Sequence, residues 1–127
     1  VVDKINESLN SLSIPLKGSK ILILGVSYKK NVGDLRESPA LQIMKLLTGK
    51  YVELSYSDPF IKKIPKTRNH SFDLTSVKLN EATLSQQDAV VLITDHDSFN
   101  YEMIHSESKL IIDTRGRFNQ SKKVLRA

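Results

Sequence analysis

Apolar positions along this chain switch repeatedly between two periods. Val2, Ile5 and Leu9 recur at helical spacing with polar residues between them, which predicts an amphipathic helix over 1–9. Ile14-Pro15 and then Gly18 end it. Residues 21–26 form a continuous apolar run without helical spacing, the pattern of a strand buried on both faces of a parallel sheet. Residues 89–94 and 110–112 repeat that pattern, 52–56 alternates, and 76–78 predicts a further short strand. Between the strands, Ala40, Ile43, Met44 and Leu47 make one apolar stripe. Ser38 stands as its N-cap, Pro39 as its first residue, and Gly49 just past its end. Asn80 is placed to cap a short helix reaching Gln86, and 99–106 reads as another, capped by Asp97 or Asn100. Residues 60–73 read as a loop or an exposed hairpin. Strands alternating with helices predict an α/β domain with a parallel sheet and right-handed crossovers.

Length and composition narrow the picture without changing it. The 127 residues, 39% hydrophobic and 26% charged, suit one domain with its own core. There is no cysteine, hence no disulfide, thiolate metal site or cysteine nucleophile within these residues. A cytoplasmic setting is the expectation. No apolar stretch is long enough to cross a bilayer. Asp3, Lys4, Asn6 and Glu7 interrupt any signal-peptide core, and a start at Val1 reads as the boundary of a longer chain. The formal charge of +5 favours anionic partners. The basic residues are scattered, with Lys62, Lys63, Lys66 and Arg68 the nearest thing to a run, so nucleic acid is not the expected partner.

The chemistry gathers where the strands end. In an open parallel sheet, ligands bind beyond the carboxyl ends of the strands. The first strand is followed by Tyr28, Lys29, Lys30 and Arg36, the third clear one by Asp95-His96-Asp97, and the last by Asp113, Arg115 and Arg117. Parallel strands carry these loops to one edge. Arginine forks beside the helix start at Ser38, with its positive dipole end, suit a diphosphate. Some of these cations have another use, in ion pairs with Asp34, Glu37 or Asp113.

Other chemistries fit poorly. Gly25 and Gly33 are too far apart for a dinucleotide turn. Asp58-Pro59 reads as a turn rather than a ribose acid. Neighbouring residues in Asp95-His96-Asp97 point apart, and His70 and His105 are remote, so no metal site is expected. There is no nucleophile elbow and no phosphate-binding P-loop, and no catalytic residue is assigned.

The segment Gly25-Val26-Ser27-Tyr28-Lys29-Lys30-Asn31-Val32-Gly33-Asp34-Leu35-Arg36-Glu37-Ser38-Pro39-Ala40 closely resembles the signature opening the C-terminal domain of the UDP-glucose/GDP-mannose dehydrogenase family. Residues 88–96 and Asp113-Thr114-Arg115 resemble later segments of that domain in the same order. The resemblance implies a Rossmann-like three-layer α/β domain with a mainly parallel sheet of about five strands. Residues 1–17 would be the end of the interdomain connecting helix and linker, and 18–127 the C-terminal UDP-sugar-binding domain.

It also implies a function. Full-length members oxidise the C6 hydroxymethyl of a nucleotide sugar to a carboxylate with NAD, through a cysteine thiohemiacetal. NAD is held mainly by an N-terminal domain that these residues do not include, so the fragment alone would be inactive. By position, Tyr28, Lys29 and Arg115 would bind the UDP-sugar and Arg36 would reach NAD. Arg117 is a neighbour without a fixed role. The implied partners are the substrate, the remaining domains and a second copy in a homo-oligomer, with no nucleic acid and no membrane. Val32, the Ser38-Pro39-Ala40 helix start and residues 94–99 look closer to the branch acting on UDP-N-acetylglucosamine or UDP-N-acetylmannosamine than to the UDP-glucose branch. Two alternatives stay open: a UDP-glucose 6-dehydrogenase domain, and a non-enzymatic basic module that binds through Lys62, Lys63, Lys66 and Arg68.

Overall fold

The computed structural model describes residues 1–36, 38–66 and 72–127. Five strands alternate with helices: α1 (Val2–Ser11), β1 (Lys20–Leu24), α2 (Pro39–Gly49), β2 (Glu53–Ser57), α3 (Glu81–Ser85), β3 (Ala89–Leu92), α4 (Tyr101–Glu107), β4 (Ile111–Asp113) and β5 (Val124–Arg126). They form one sheet in the order β2-β1-β3-β4-β5, and every pairing is parallel. Parallel central strands are covered on both faces, which is why their sequences are apolar throughout. Ile21 and Ile23 of β1 face one core with Ile5 and Leu9 of α1 and Leu41, Met44 and Leu47 of α2. Leu22 and Leu24 face the other, with Leu84 of α3 and Ile104 of α4. The period-two alternation of the strand side chains thus divides one apolar run between two layers.

The helix starts follow the capping residues. The Ser38 hydroxyl accepts from the Ala40 N–H and donates to the Val26 carbonyl at 2.5 Å, fixing the start of α2 to the chain just beyond β1. Asn80 caps α3 and Asn100 caps α4 through their side-chain oxygens, so Asn100 rather than Asp97 is the cap.

Several details differ from the sequence expectation. Gly49 is the last residue of α2, and the chain reverses two residues later at Tyr51, φ 61°. Residues 76–78 form no strand. Thr75 makes one antiparallel bridge to Lys63, while the Ser76 hydroxyl bonds the backbone of Asp58, which competes with a regular ladder. The fifth strand is instead Val124–Arg126, an edge strand of three residues whose pattern is too short to recognise. Of the expected loop over 60–73, residues 67–71 lie outside the described residues, as does any pairing of Glu37. No helix is long and apolar enough to cross a membrane among the described residues.

Candidate functional site

From β1 the chain passes to β2 on one side and later to β3 on the other. That reversal opens a crevice at the carboxyl ends of β1 and β3. Gly25 begins the loop after β1 at φ +81°, and a Cβ there would run into the backbone carbonyl and side chain of Thr94, beyond β3. Only glycine lets the two loops approach so closely. The Thr94 hydroxyl then donates to the Ser27 carbonyl at 2.6 Å.

The first loop folds back on itself. The Tyr28 N–H donates to the Asp34 carbonyl, and Asn31 takes a left-handed conformation, φ 64°. Asn31 and Asp97 exchange hydrogen bonds, Asn31 Nδ2 to Asp97 Oδ2 at 2.7 Å and Asp97 N to Asn31 Oδ1 at 2.9 Å. That side-chain bond from Asn31 is the chief reason the Asp97 carboxyl lies below the ordinary carboxylate range, and Lys30 adds to it. The outward positions of the loop are cationic and aromatic: Tyr28, Lys29 and Lys30 are all exposed.

Arg115 enters from the loop after β4. Its backbone N–H is held by Asp113 and its Nε donates to the Ile93 carbonyl at 2.7 Å. The guanidinium is thereby anchored by one nitrogen at the end of β3, and among the described residues its two terminal nitrogens take no protein acceptor. Arg117 lies over the Tyr101 ring, 4.3 Å from its centre, and 3.4 Å from both Asp95 and Asp97. Arg36 forks onto Asp34 at 3.0 and 3.1 Å. That fork lowers the Asp34 carboxyl, and the Arg36 side chain is 89% exposed.

The loops bearing Tyr28, Lys29 and Arg115 are therefore joined by direct bonds, and Arg36 stands on the outer rim of the first. The expected pairing with Asp34 is realised for Arg36. Asp113 pairs instead with backbone amides of Arg115, Gly116 and Phe118. The helix start offers less than the sequence implied: Pro39 has no N–H, and that of Ala40 is taken by Ser38. Its dipole remains.

Sequence reading missed the groups beneath this surface. Asp58 does make the turn, accepting the Phe60 N–H at 2.8 Å. Its other oxygen also collects Val26 N, Ser27 N, Ser27 Oγ and His96 Nε2, all within 3.2 Å. Burial pushes this carboxyl upward, but the bonds from His96, Phe60 and Val26 outweigh it and hold it below its ordinary value. His96 turns inward to Asp58, Asp97 turns to Asn31, and Asp95 turns to Arg117, so the triplet does diverge. The only sequence signal for the hub was an acid at the end of one strand and a histidine beyond another.

An open cleft of about 500 Å³ lies beside these loops at the carboxyl end of β2, lined by Asp58, Phe60, Lys62, Ser76, Lys78 and Phe99, among others. None of Tyr28, Lys29, Arg36 and Arg115 lines it. The loop after β1 also lacks the glycine spacing of a dinucleotide turn.

Known proteins give this edge a context. The family model for the UDP-glucose/GDP-mannose dehydrogenase family, UDP binding domain, matches residues 22–120. An NDP-N-acetyl-D-galactosaminuronic acid dehydrogenase from Ralstonia nicotianae is 32% identical over 94% of this chain and 27% of its own length. A UDP-N-acetyl-D-mannosamine dehydrogenase from Methanococcus vannielii is 31% identical over 95% of this chain and 28% of its own. The structure of a UDP-glucose dehydrogenase from Pyrobaculum islandicum superposes with a TM-score of 0.70 at 25% identity, covering 96% of this chain and 27% of that one. The chain thus spans little more than a quarter of the relatives it matches. It belongs to the UDP-glucose/GDP-mannose dehydrogenase family and carries that family's UDP-binding domain.

Proposed function

We propose that this chain is the substrate-holding domain of an NAD-dependent dehydrogenase that oxidises the C6 hydroxymethyl of a UDP-sugar. Tyr28, Lys29 and Arg115 grip the UDP-sugar, and Arg36 reaches from the rim toward NAD. Residues 1–17 end a connecting helix and linker, and 18–127 form the binding domain. One observation supports the assignment most: Arg115 is anchored through Nε while its terminal nitrogens are left to a ligand. A guanidinium held this way is preorganised for a diphosphate fork. A substrate gripped between two domains leaves an open face on each, which fits a cationic edge lying outside the cleft at the end of β2.

NAD supplies the hydride acceptor. The residues here contribute position and charge only, and the oxidation needs a cysteine that these residues lack. The chain alone is therefore inactive, and the whole enzyme works as a cytoplasmic homo-oligomer. An N-acetylhexosamine is the favoured sugar. The Ralstonia and Methanococcus relatives carry names of that kind, and a UDP-glucose 6-dehydrogenase from Caenorhabditis elegans, 33% identical over 69% of this chain, keeps glucose as the second reading.

Calorimetry with UDP tests the assignment. Arg115→Ala should weaken binding about tenfold or more, and Arg115→Lys should not restore it, because an ammonium cannot reproduce the anchored fork. Unchanged affinity in both variants would remove Arg115 from the site.

A further inference from the structure

His96 is held at both ring nitrogens, and nothing in the proposed binding role uses it directly. Its ring is fully buried. Nδ1 lies 2.8 Å from the Asn31 backbone nitrogen and Nε2 2.9 Å from Asp58 Oδ2. A backbone N–H can only donate, so Nδ1 must be the bare acceptor. The ring proton then sits on Nε2 and is donated to the Asp58 carboxylate. The Phe60 and Phe99 rings pack against the imidazole, with centroids 4.9 and 5.5 Å away. The His96 carbonyl accepts the Tyr101 hydroxyl at 2.6 Å. The ring has one orientation and one tautomer.

What it holds is the ligand-facing loop. Asn31 follows directly on Tyr28, Lys29 and Lys30, and its left-handed backbone makes the loop turn there. Its N–H is fixed by His96, while its side chain is bracketed by Asp97. Asp58 holds the other end of the same segment through Val26 and Ser27. We infer that His96 is a positioning residue for the nucleotide: through Nδ1 it fixes Asn31, and so sets Tyr28 and Lys29 in their binding geometry before the ligand arrives. The inference rests on the UDP-sugar reading of the site. Without this peg the loop must be ordered by the ligand, and the ordering entropy weakens binding.

Two substitutions separate the two ring nitrogens. In His96→Asn the side-chain oxygen takes the place of Nδ1 and still accepts from Asn31, but nothing reaches Asp58. In His96→Gln the amide takes the place of Nε2 and still donates to Asp58, but Asn31 loses its acceptor. UDP titration should show His96→Asn within about threefold of the parent and His96→Gln weaker by about tenfold. Equal loss in both variants would mean a merely structural hub, and no loss in His96→Gln would mean that the peg does not matter to binding. Either result overturns the inference. A measurement on the unsubstituted protein covers the case in which a variant fails to fold: the nitrogen–nitrogen coupling across the hydrogen bond from Asn31 to His96 should be observable by NMR. Its absence also overturns the inference. If the coupling is present but UDP does not bind, the functional reading fails while the loop geometry stands.

Discussion

Two sets of polar groups share the carboxyl edge of this sheet, and they are built in opposite ways. The inner set, Asp58, His96, Ser27 and Thr94, is buried and hydrogen-bonded throughout. The outer set, Tyr28, Lys29, Lys30, Arg36, Arg115 and Arg117, is exposed, and Arg115 is held through one guanidinium nitrogen. A buried carboxylate must be fully bonded or it destabilises the fold, whereas a binding cation must keep donors unclaimed. The difference teaches that shape and affinity reside in different residues. The inner set fixes where three loops lie, and under the proposed function the outer set meets the ligand.

That division can be broken at several depths. The largest effect should come from Gly25→Ala. It places a Cβ against the Thr94 backbone at a positive φ, and the combined strain and overpacking should cost about 4 kcal/mol, read as a fall in the denaturation midpoint. Asp58→Asn comes next. It leaves donors facing an amide in a buried site, and losing one partner of such a network should cost about 3 kcal/mol or more.

A pH series sharpens the same point. Because burial is outweighed by its hydrogen bonds and the folded-state pKa of Asp58 lies below the ordinary carboxylate value, its stabilising contribution is complete above that ordinary value. It should be lost as the pH falls through and below it. The stability gap between the parent and Asp58→Asn should therefore narrow on acidification from pH 5 to about 3. A gap that stayed constant would show that the carboxylate charge plays no part. Outer-set substitutions should behave differently: Lys29→Ala should leave the denaturation midpoint within about 0.5 kcal/mol of the parent while weakening UDP.

The sequence made much of this legible, and the limits have physical causes. Strands β1, β3 and β4 are written in continuous apolar runs, because strands covered on both faces cannot alternate. Ser38, Asn80 and Asn100 announced their helices, since capping is a local interaction between residues two or three apart. The loops with exposed cations were legible because strand ends in a parallel sheet share one edge. The inner set was not. Asp58 and His96 meet across 38 positions of chain, and nothing local marks a carboxylate as a hub rather than a turn. Strand β5 escaped for a different reason: three residues at an edge bury too little to leave a pattern.

Under the proposed function, the exposed cations over the β1, β3 and β4 ends bind the nucleotide of a UDP-sugar. Titrating UDP into isotopically labelled protein and following the backbone amides tests it most directly. Saturable shifts concentrated over residues 28–38 and at Arg115, with little change around Lys62 and Lys66, are the predicted result. Unmoved amides in those two regions at saturating UDP, or shifts centred on Lys62 and Lys66 with polynucleotide instead, would contradict it.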